Sequence, residues 1–376
     1  MSKKLMGKKT MVKKMMAGAM ALTMATAMVT TGFTPMGNVV AYASTENNIT
    51  FDTAEDLTFN TSITEEMSGN DMVRYYKFTL DEASQLNISA TFNSSSGSST
   101  FLIYDENRTE LWQGGLSNYT KTSGNIYLTG GDYYLKLESK YDISFTVTKD
   151  SLMESFKETQ TDNNDSLDDA YTISLSKQYK GVIAENDTKD YFKFKVPATG
   201  KVHVNINNAL KSDSTVYTAI ASIYDDSNAL IYSRTLHDNV VLDEDVILSS
   251  GTYYFMMSNY RNGLSGKTSK GSYSFKLDYV MSSPTISSLK NSGKKKMTVK
   301  WGKVDGAAGY ELQYTKDKNF KSGITKKTLK PSVRTVSYSK LTKGKTYYVR
   351  VRAYAKVNGK TKYSGWSSKK SVVIKK

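Results

Sequence analysis

No cysteine occurs anywhere in the 376 residues of this chain. Disulfides and thiolate metal centres are thereby excluded, so stability must come from packed cores and from oxygen-ligated cations if any metal is used. Histidine is nearly as scarce, with only His203 and His237. Acid–base or nucleophilic chemistry by histidine needs an imidazole held against a partner. His203 falls on the outward side of an alternating strand and aligns with Asn87 of an earlier repeat, while His237 is expected in a polar loop region, Thr235–Asn239. Both read as solvated side chains. Gly-rich phosphate loops, paired metalloprotease histidines and nucleophile elbows are also missing. Beyond the N-terminal region no apolar run reaches membrane-spanning length.

That N-terminal region has its own pattern. Lys3, Lys4, Lys8, Lys9, Lys13 and Lys14 precede an apolar stretch from Met15 to about Phe33, and Val40-Ala41-Tyr42-Ala43-Ser44 follows with small-x-small spacing. Residues 1–43 are therefore expected to be a cleaved signal peptide, with Gly18, Gly32 and Pro35 making the stretch a poor spanning helix. Export without cysteine suits a Gram-positive bacterial secretory route. Charge is unevenly divided: +6 over residues 1–43, −13 over 44–283 and +22 over 284–376. An acidic body is joined to a strongly basic end, which bears on partners and not on fold.

What is abundant is repetition. Asn47-Asn48-Ile49-Thr50-Phe51-Asp52-Thr53-Ala54 returns as Asn163-Asn164-Asp165-Ser166-Leu167-Asp168-Asp169-Ala170. At the same offset, Arg74-Tyr75-Tyr76-Lys77-Phe78 returns as Asp190-Tyr191-Phe192-Lys193-Phe194. Ile103-Tyr104-Asp105 matches Ile223-Tyr224-Asp225, and Gly131-Asp132-Tyr133-Tyr134 matches Gly251-Thr252-Tyr253-Tyr254. The matched blocks alternate with period two, as strands do: Phe192, Phe194 and Val196 face one way and Tyr191, Lys193 and Lys195 the other. Short alternating strands separated by turn residues predict sandwiches or jelly-rolls. Helix is expected only in short pieces near 151–159 and 166–171.

These blocks resemble the bacterial pre-peptidase C-terminal domain, a family that includes the collagen-binding domains of clostridial collagenases. The second repeat carries the whole pattern: the acidic opening 162–170, Asp187-Thr188-Lys189-Asp190-Tyr191-Phe192-Lys193-Phe194, Ile223-Tyr224-Asp225 and Gly251-Thr252-Tyr253-Tyr254. The C-terminal residues resemble a fibronectin type III domain through Met297-Thr298-Val299-Lys300-Trp301, Gly309-Tyr310-Glu311-Leu312-Gln313-Tyr314, Tyr347, Val349-Arg350-Val351-Arg352-Ala353 and Tyr363-Ser364-Gly365-Trp366-Ser367. Trp301 is expected in that core and Tyr347 at its corner, with Lys343 where the family usually has proline. The expected fold class is all-β: two jelly-roll-like β-sandwiches, at 45–149 and 162–280, joined by a linker at 150–161. An immunoglobulin-like fibronectin type III sandwich at 284–376 follows.

The resemblance implies calcium. In the collagen-binding relatives the acidic opening and the Asp-x-x-Asp segment jointly hold that ion, and the matching positions here are Asp162, Asn164, Asp165, Asp187 and Asp190. All five bear oxygen, as calcium requires. The family's first acidic ligand would fall at Gln160, a neutral replacement. The first repeat offers Glu46, Asn48, Ile49, Asp71 and Arg74 at these places, where an isoleucine cannot ligate and an arginine repels a cation. One calcium is expected in the second repeat and none in the first.

Both resemblances imply non-catalytic modules, and no segment is left to scaffold an active site, so the chain is not expected to be an enzyme. The expected role is a secreted or cell-surface binding or adhesion protein that recognises an extracellular protein or polysaccharide. The alternative is a substrate-binding auxiliary component, or a remnant, of a secreted hydrolase. The basic C-terminal module is expected to favour anionic surfaces, such as an anionic cell-wall polymer, and nucleic acid is not an expected partner of a secreted module. Arg350 and Arg352 share one strand face there, and Trp112 and Trp366 are the tryptophans expected outside the cores. No sortase-type motif is found near the C-terminus, so retention at a surface would be non-covalent.

Overall fold

The computed structural model describes residues 40–42, 48–67, 72–159, 163–211, 217–260, 268–357 and 359–375. The expected signal peptide therefore lies outside the described residues, apart from 40–42. The fold is all-β, with sandwich sheets throughout.

In the first part the strands are β1 (Val40–Tyr42), β2 (Glu55–Asp56), β3 (Ser62–Glu65), β4 (Val73–Leu80) and β5 (Ser84–Phe92). They continue with β6 (Ser98–Asp105), β7 (Glu110–Ser117), β8 (Ile126–Leu128), β9 (Gly131–Ser139) and β10 (Ile143–Ser151). The second part comprises β11 (Tyr171–Thr172), β12 (Gln178–Ile183), β13 (Lys189–Val196), β14 (Gly200–Asn208) and β15 (Tyr217–Asp225). After these come β16 (Leu230–His237), β17 (Val241–Leu248), β18 (Gly251–Asn259) and β19 (Gly271–Met281). One sheet of the first part has the order β2-β4-β9-β6-β7, and its partner β1-β3-β10-β5-β8. The second part has β11-β13-β18-β15-β16 and β12-β19-β14-β17. Every strand from β2 to β10 thus has a counterpart nine places later in the same sheet position. The sequence repeat is a repeat of topology.

The motifs that reveal the repeat are built into its turns and cores. Asp105 closes the β6–β7 turn, its Oδ1 accepting from the N–H groups of Asn107 (2.9 Å) and Thr109 (2.8 Å). Asp225 does the same for β15–β16 with Ser227 and Ala229, both at 2.9 Å. Tyr133 donates its phenol to the Thr129 carbonyl (3.0 Å), and Tyr253 donates to that of Ser249 (3.2 Å), pinning the start of β9 and β18. Alternation sorts the faces as expected: Phe192, Phe194 and Val196 are buried, together with Val202, Val204 and Ile206 on β14. They meet Phe255 and Phe275 in one core, while Phe78, Phe101, Phe145 and Tyr133 fill the other.

The third part has strands β20 (Ile286–Gly293), β21 (Lys296–Trp301), β22 (Gly309–Thr315), β23 (Thr325–Leu329), β24 (Thr335–Tyr338), β25 (Thr346–Val357), β26 (Lys360–Tyr363) and β27 (Lys370–Val373). A sheet of β20-β21-β24 faces one of β23-β22-β25-β26, with β27 also on β25. Trp301 and Tyr347 take the places expected of them. Trp301 is 3% exposed against Tyr310, and the Tyr347 phenol accepts from Thr342 N–H at 3.0 Å. The two short helices expected near 151–159 and 166–171 are not there. The former is strand end and extended chain that pairs with the first sandwich, and the latter a series of bends closed by Ser166 and Asp169. Among the described residues the helical turn is the 3-10 segment Phe51–Thr53.

The second and third cores are stitched together. Ala198, from the β13–β14 turn, is buried in the third core, and Thr199 N–H donates to Asp305 carbonyl at 2.8 Å. Gly306 sits at φ +74, where a side chain would run into the Pro197 carbonyl and Ala198. Gly306→Ala should therefore cost about 1–3 kcal/mol through combined strain and overlap. In thermal unfolding followed by circular dichroism, the third module should melt earlier, with the first sandwich unmoved. An unchanged third transition would contradict this junction.

Candidate metal centre

Separate backbone devices bring one set of acids to a single interior point of the second sandwich. Asp190 is the second residue of β13, on the same inward face as Phe192 and Phe194, and is fully buried. Asp187 lies in the turn just before: its carbonyl accepts from Ala184 N–H (2.9 Å) and its Oδ1 from Lys189 N–H (3.2 Å). Asn164 is laid beside β13 by two bonds to Tyr191. Its carbonyl accepts from Tyr191 N–H (2.8 Å), and its Nδ2 donates to Tyr191 carbonyl (3.1 Å). Asp165 is half-buried and close enough to Asp187 to raise that group's pKa. Asp162 and Gln160 lie outside the described residues.

Sequence reasoning missed Glu158. Its carboxylate is buried and lies within 4.8 Å of those of Asp187 and Asp190, oxygen to oxygen. The first acidic ligand had been sought at Gln160; the structure supplies a carboxylate from two residues earlier. Residues two apart in an extended segment point to the same side, so a slip of two preserves the direction. The available signal was the presence of Glu154 and Glu158 in a segment otherwise read as linker.

Four oxygens at this point have no hydrogen-bond partner among the described residues: Glu158 Oε2, Asn164 Oδ1, Asp187 Oδ2 and Asp190 Oδ1. All are acceptors. The Tyr273 phenol donates to the other Asp190 oxygen at 2.5 Å, and it is a donor too few for the rest. Buried, unmatched acceptors cost about 1–3 kcal/mol each, and more when ionised. A hard divalent cation removes that cost by taking oxygens directly, so the residues present fit such an ion. Without it, burial and mutual repulsion hold the carboxyls of Glu158, Asp187 and Asp190 well above the ordinary carboxylate range. Nearby Glu154, half-buried, is pushed up to about 8 by desolvation and by Asp190.

The first repeat solves the same position differently. Arg74 stands where Asp190 stands, and its Nε donates to Glu65 at 3.0 Å in a nearly buried ion pair. Tyr76 donates its phenol to the other Glu65 oxygen. Strand register equates Glu65 with Gly181 and Ile143 with Tyr273. Gly181 has room only for hydrogen, because a Cβ there would overlap the Tyr273 ring and phenol. One repeat thus buries a cation of its own at this place, and the other gathers carboxyl oxygens there.

The remaining candidates have structural employment. His203 is held between Asp243 and Asp245 on an open sheet face; His237, expected in a loop, instead ends strand β16, where cross-strand pairing sets it against Tyr217 with ring centres 4.5 Å apart. Trp112 packs partly on the first core. Trp366 lies between two guanidiniums, Arg350 at 4.2 Å and Arg352 at 4.4 Å from its ring. Arg350 also donates to Gln313, and Arg352 to buried Glu311. Neither arginine is an open anion-binding group.

Residues 282–370 match the family model of the fibronectin type III domain. Among solved structures, the pre-peptidase C-terminal domain of collagenase from Bacillus anthracis is similar at 18% identity. It covers 29% of this chain and 94% of its own, with a TM-score of 0.23. A Fn3-like protein from Clostridium thermocellum is similar at 18% identity, over 25% of this chain and 92% of its own, with a TM-score of 0.21. A myokine structure covers 26% of this chain and 99% of its own at 15% identity and a TM-score of 0.22. Both resemblances drawn from the sequence recur among these findings. Among the described residues, no helix is long and apolar enough to cross a membrane.

The raised carboxyls fix the sign of a pH effect. Well below pH 4 they are protonated in both folded and unfolded chains. Above that the unfolded chain ionises while the folded one keeps its protons, so stability falls with rising pH. In the presence of a chelator, the second sandwich should lose denaturant resistance between about pH 4 and pH 8. Resistance that stays level or climbs over that range would refute the buried cluster. Separately, Gly181→Ala should cost about 1–3 kcal/mol by displacing Tyr273. Combined with Tyr273→Phe it should cost less than the sum of the two single changes, as coupled neighbours do. Strict additivity would show that the two residues do not meet.

Proposed function

We propose that this chain is a non-catalytic extracellular binding protein whose second sandwich takes one calcium ion. The observation that carries the reading is the set of unmatched buried oxygens from Glu158, Asn164, Asp187 and Asp190. Asp162 and Asp165 belong to the proposed ligand set as the acidic opening beside Asn164. Calcium is favoured over softer metals because every donor is oxygen and no nitrogen or sulfur is offered.

The same segments grip the first sandwich, so the ion would stiffen the tandem. Glu158 accepts through its carbonyl from Gly130 N–H (3.2 Å), and Thr159 pairs with Gly130 in a parallel bridge. Asn186, next to Asp187, donates to Thr129 Oγ1 (2.8 Å) and to the Tyr133 phenol (3.2 Å). Glu185 N–H donates to Tyr127 carbonyl at 2.8 Å. A cation drawing Glu158 and Asp187 together fixes the two segments that hold the first repeat. The stiffened pair would present its surface to an extracellular protein or polysaccharide. Attraction of the basic third module to anionic polymers would keep the protein near a surface. Secretion through residues 1–43 completes the reading.

Isothermal titration of the full chain with calcium chloride should give one site. Asp190→Asn and Glu158→Gln should each weaken it about tenfold or more, since each removes a charged ligand from a set that fixes affinity by charge count. Binding should release protons near neutral pH, because the ligands must ionise to coordinate. Two equivalent sites, or affinity untouched by Glu158→Gln, would sink the assignment.

A further inference from the structure

The third module has an end that faces away from the second sandwich, and backbone contacts gather lysines there from three stretches of sequence. β20 and β21 meet in the hairpin that carries Lys294 and Lys295, and Lys295 adopts φ +51 at its tip. Leu341 N–H donates to Lys295 carbonyl at 3.1 Å, which brings the loop containing Lys340, Lys343 and Lys345 against that hairpin. Gly344 N–H donates to Ile374 carbonyl (2.8 Å), Ile374 N–H returns to Lys345 carbonyl (3.1 Å), and Lys375 N–H donates to Asn291 Oδ1 (3.1 Å). The C-terminal strand end is thereby tied to both. All six lysines are exposed, and among the described residues none forms an ion pair.

We propose that this lysine pole is a docking surface for a linear polymer bearing repeated phosphate groups. The inference rests on the anion attraction proposed above for the basic module, and it gives that attraction a place and a chemistry. The three acids of the module are spent elsewhere. Asp305 pairs with Lys303 at the junction end, Glu311 lies under Arg352 and Lys326, and Asp317 accepts backbone N–H groups of its own loop. The module's three arginines are spent as well, Arg350 and Arg352 on Trp366, and Arg334 over the Tyr310 ring at 4.6 Å. What remains is a field of ammonium groups without planar forks. Ammonium groups bind phosphate as point charges, a contact that needs no planar fork and tolerates the varied spacing of a flexible linear polymer.

A bilayer is the less suitable occupant. Met297, Leu341 and Ile374 at this end are buried and Val373 is the exposed apolar side chain beside them, too small a patch to insert into a membrane. The acidic stretch 44–283, at −13, repels a polyanion from the rest of the chain, so such a polymer would engage this end alone.

The test uses the full chain and immobilised inorganic polyphosphate. The variant Lys294→Glu/Lys295→Glu/Lys343→Glu is compared with Lys330→Glu/Lys360→Glu/Lys362→Glu, which makes the same charge change away from the pole. The pole variant should lose about tenfold or more in affinity and the control much less, with wild-type binding falling steeply as salt is raised. Glutamine versions of both triple variants, checked by circular dichroism, keep the comparison if the glutamate forms misfold. Equal losses in both variants would overturn the pole while leaving general anion attraction in place. No wild-type binding at low salt would overturn both. Tighter binding to vesicles containing phosphatidylserine, or to heparin at matched charge, would overturn the phosphate polymer as occupant.

Discussion

Burial of one face of each sheet against another carries this structure, because nothing covalent can substitute for it. Without cysteine, every sandwich has to close on interdigitated side chains supplied at every second residue. The aromatic weight of the cores follows from that constraint. Phe192, Phe255 and Phe275 in the second sandwich, and Phe101, Phe145 and Tyr133 in the first, are large apolar bodies on short strands. Small contact areas between modules could not hold three such units in place unaided. The junctions therefore borrow from the cores: Ala198 enters the third, and the segment before β11 pairs back onto the first.

The interior of a sandwich punishes unmatched charge, and the two repeats show two answers at one position. In the first, Arg74 supplies the positive charge from within and Glu65 and Tyr76 surround it. In the second, Asp190 replaces the arginine, Gly181 replaces the glutamate, and the Tyr273 phenol occupies the space that Gly181 leaves. The exchange takes away a guanidinium and adds carboxyl groups, which burial and mutual repulsion hold protonated well above the ordinary carboxylate range. Removing one partner of a buried pair alone would leave an uncompensated charge, which is why the substitutions come as a set.

Much of the fold was legible because period two is written into the chain. β13 and β14 carry their burial patterns openly, and the Ile-Tyr-Asp and Gly-x-Tyr-Tyr blocks mark a turn and a strand start that the structure closes with the same bonds in both repeats. Asn164, Asp187 and Asp190 were legible as a group through family resemblance. Glu158 was not, since an extended segment has no marker of register until something pairs with it, and its partner Gly130 lies in the other repeat. The same reason hid the equivalence of Glu65 with Gly181, which depends on cross-strand register and not on sequence offset. Helix was expected at 151–159 from composition, where pairing with the first sandwich prevailed over local propensity.

Charge in the third module divides by residue type. Arginine is planar and weakly hydrated, so it can be stacked and half-buried without a large desolvation cost. Arg350 and Arg352 accordingly both rest against the Trp366 ring and donate to Gln313 and Glu311. Lysine keeps its ammonium hydrated and is left outside, along the loops. The Arg350–Arg352 strand face that looks in sequence like part of a binding surface is instead a brace for β25. Counting cations by sequence gives the size of the module's field, but only their placement separates those that hold the sandwich from those left in solvent.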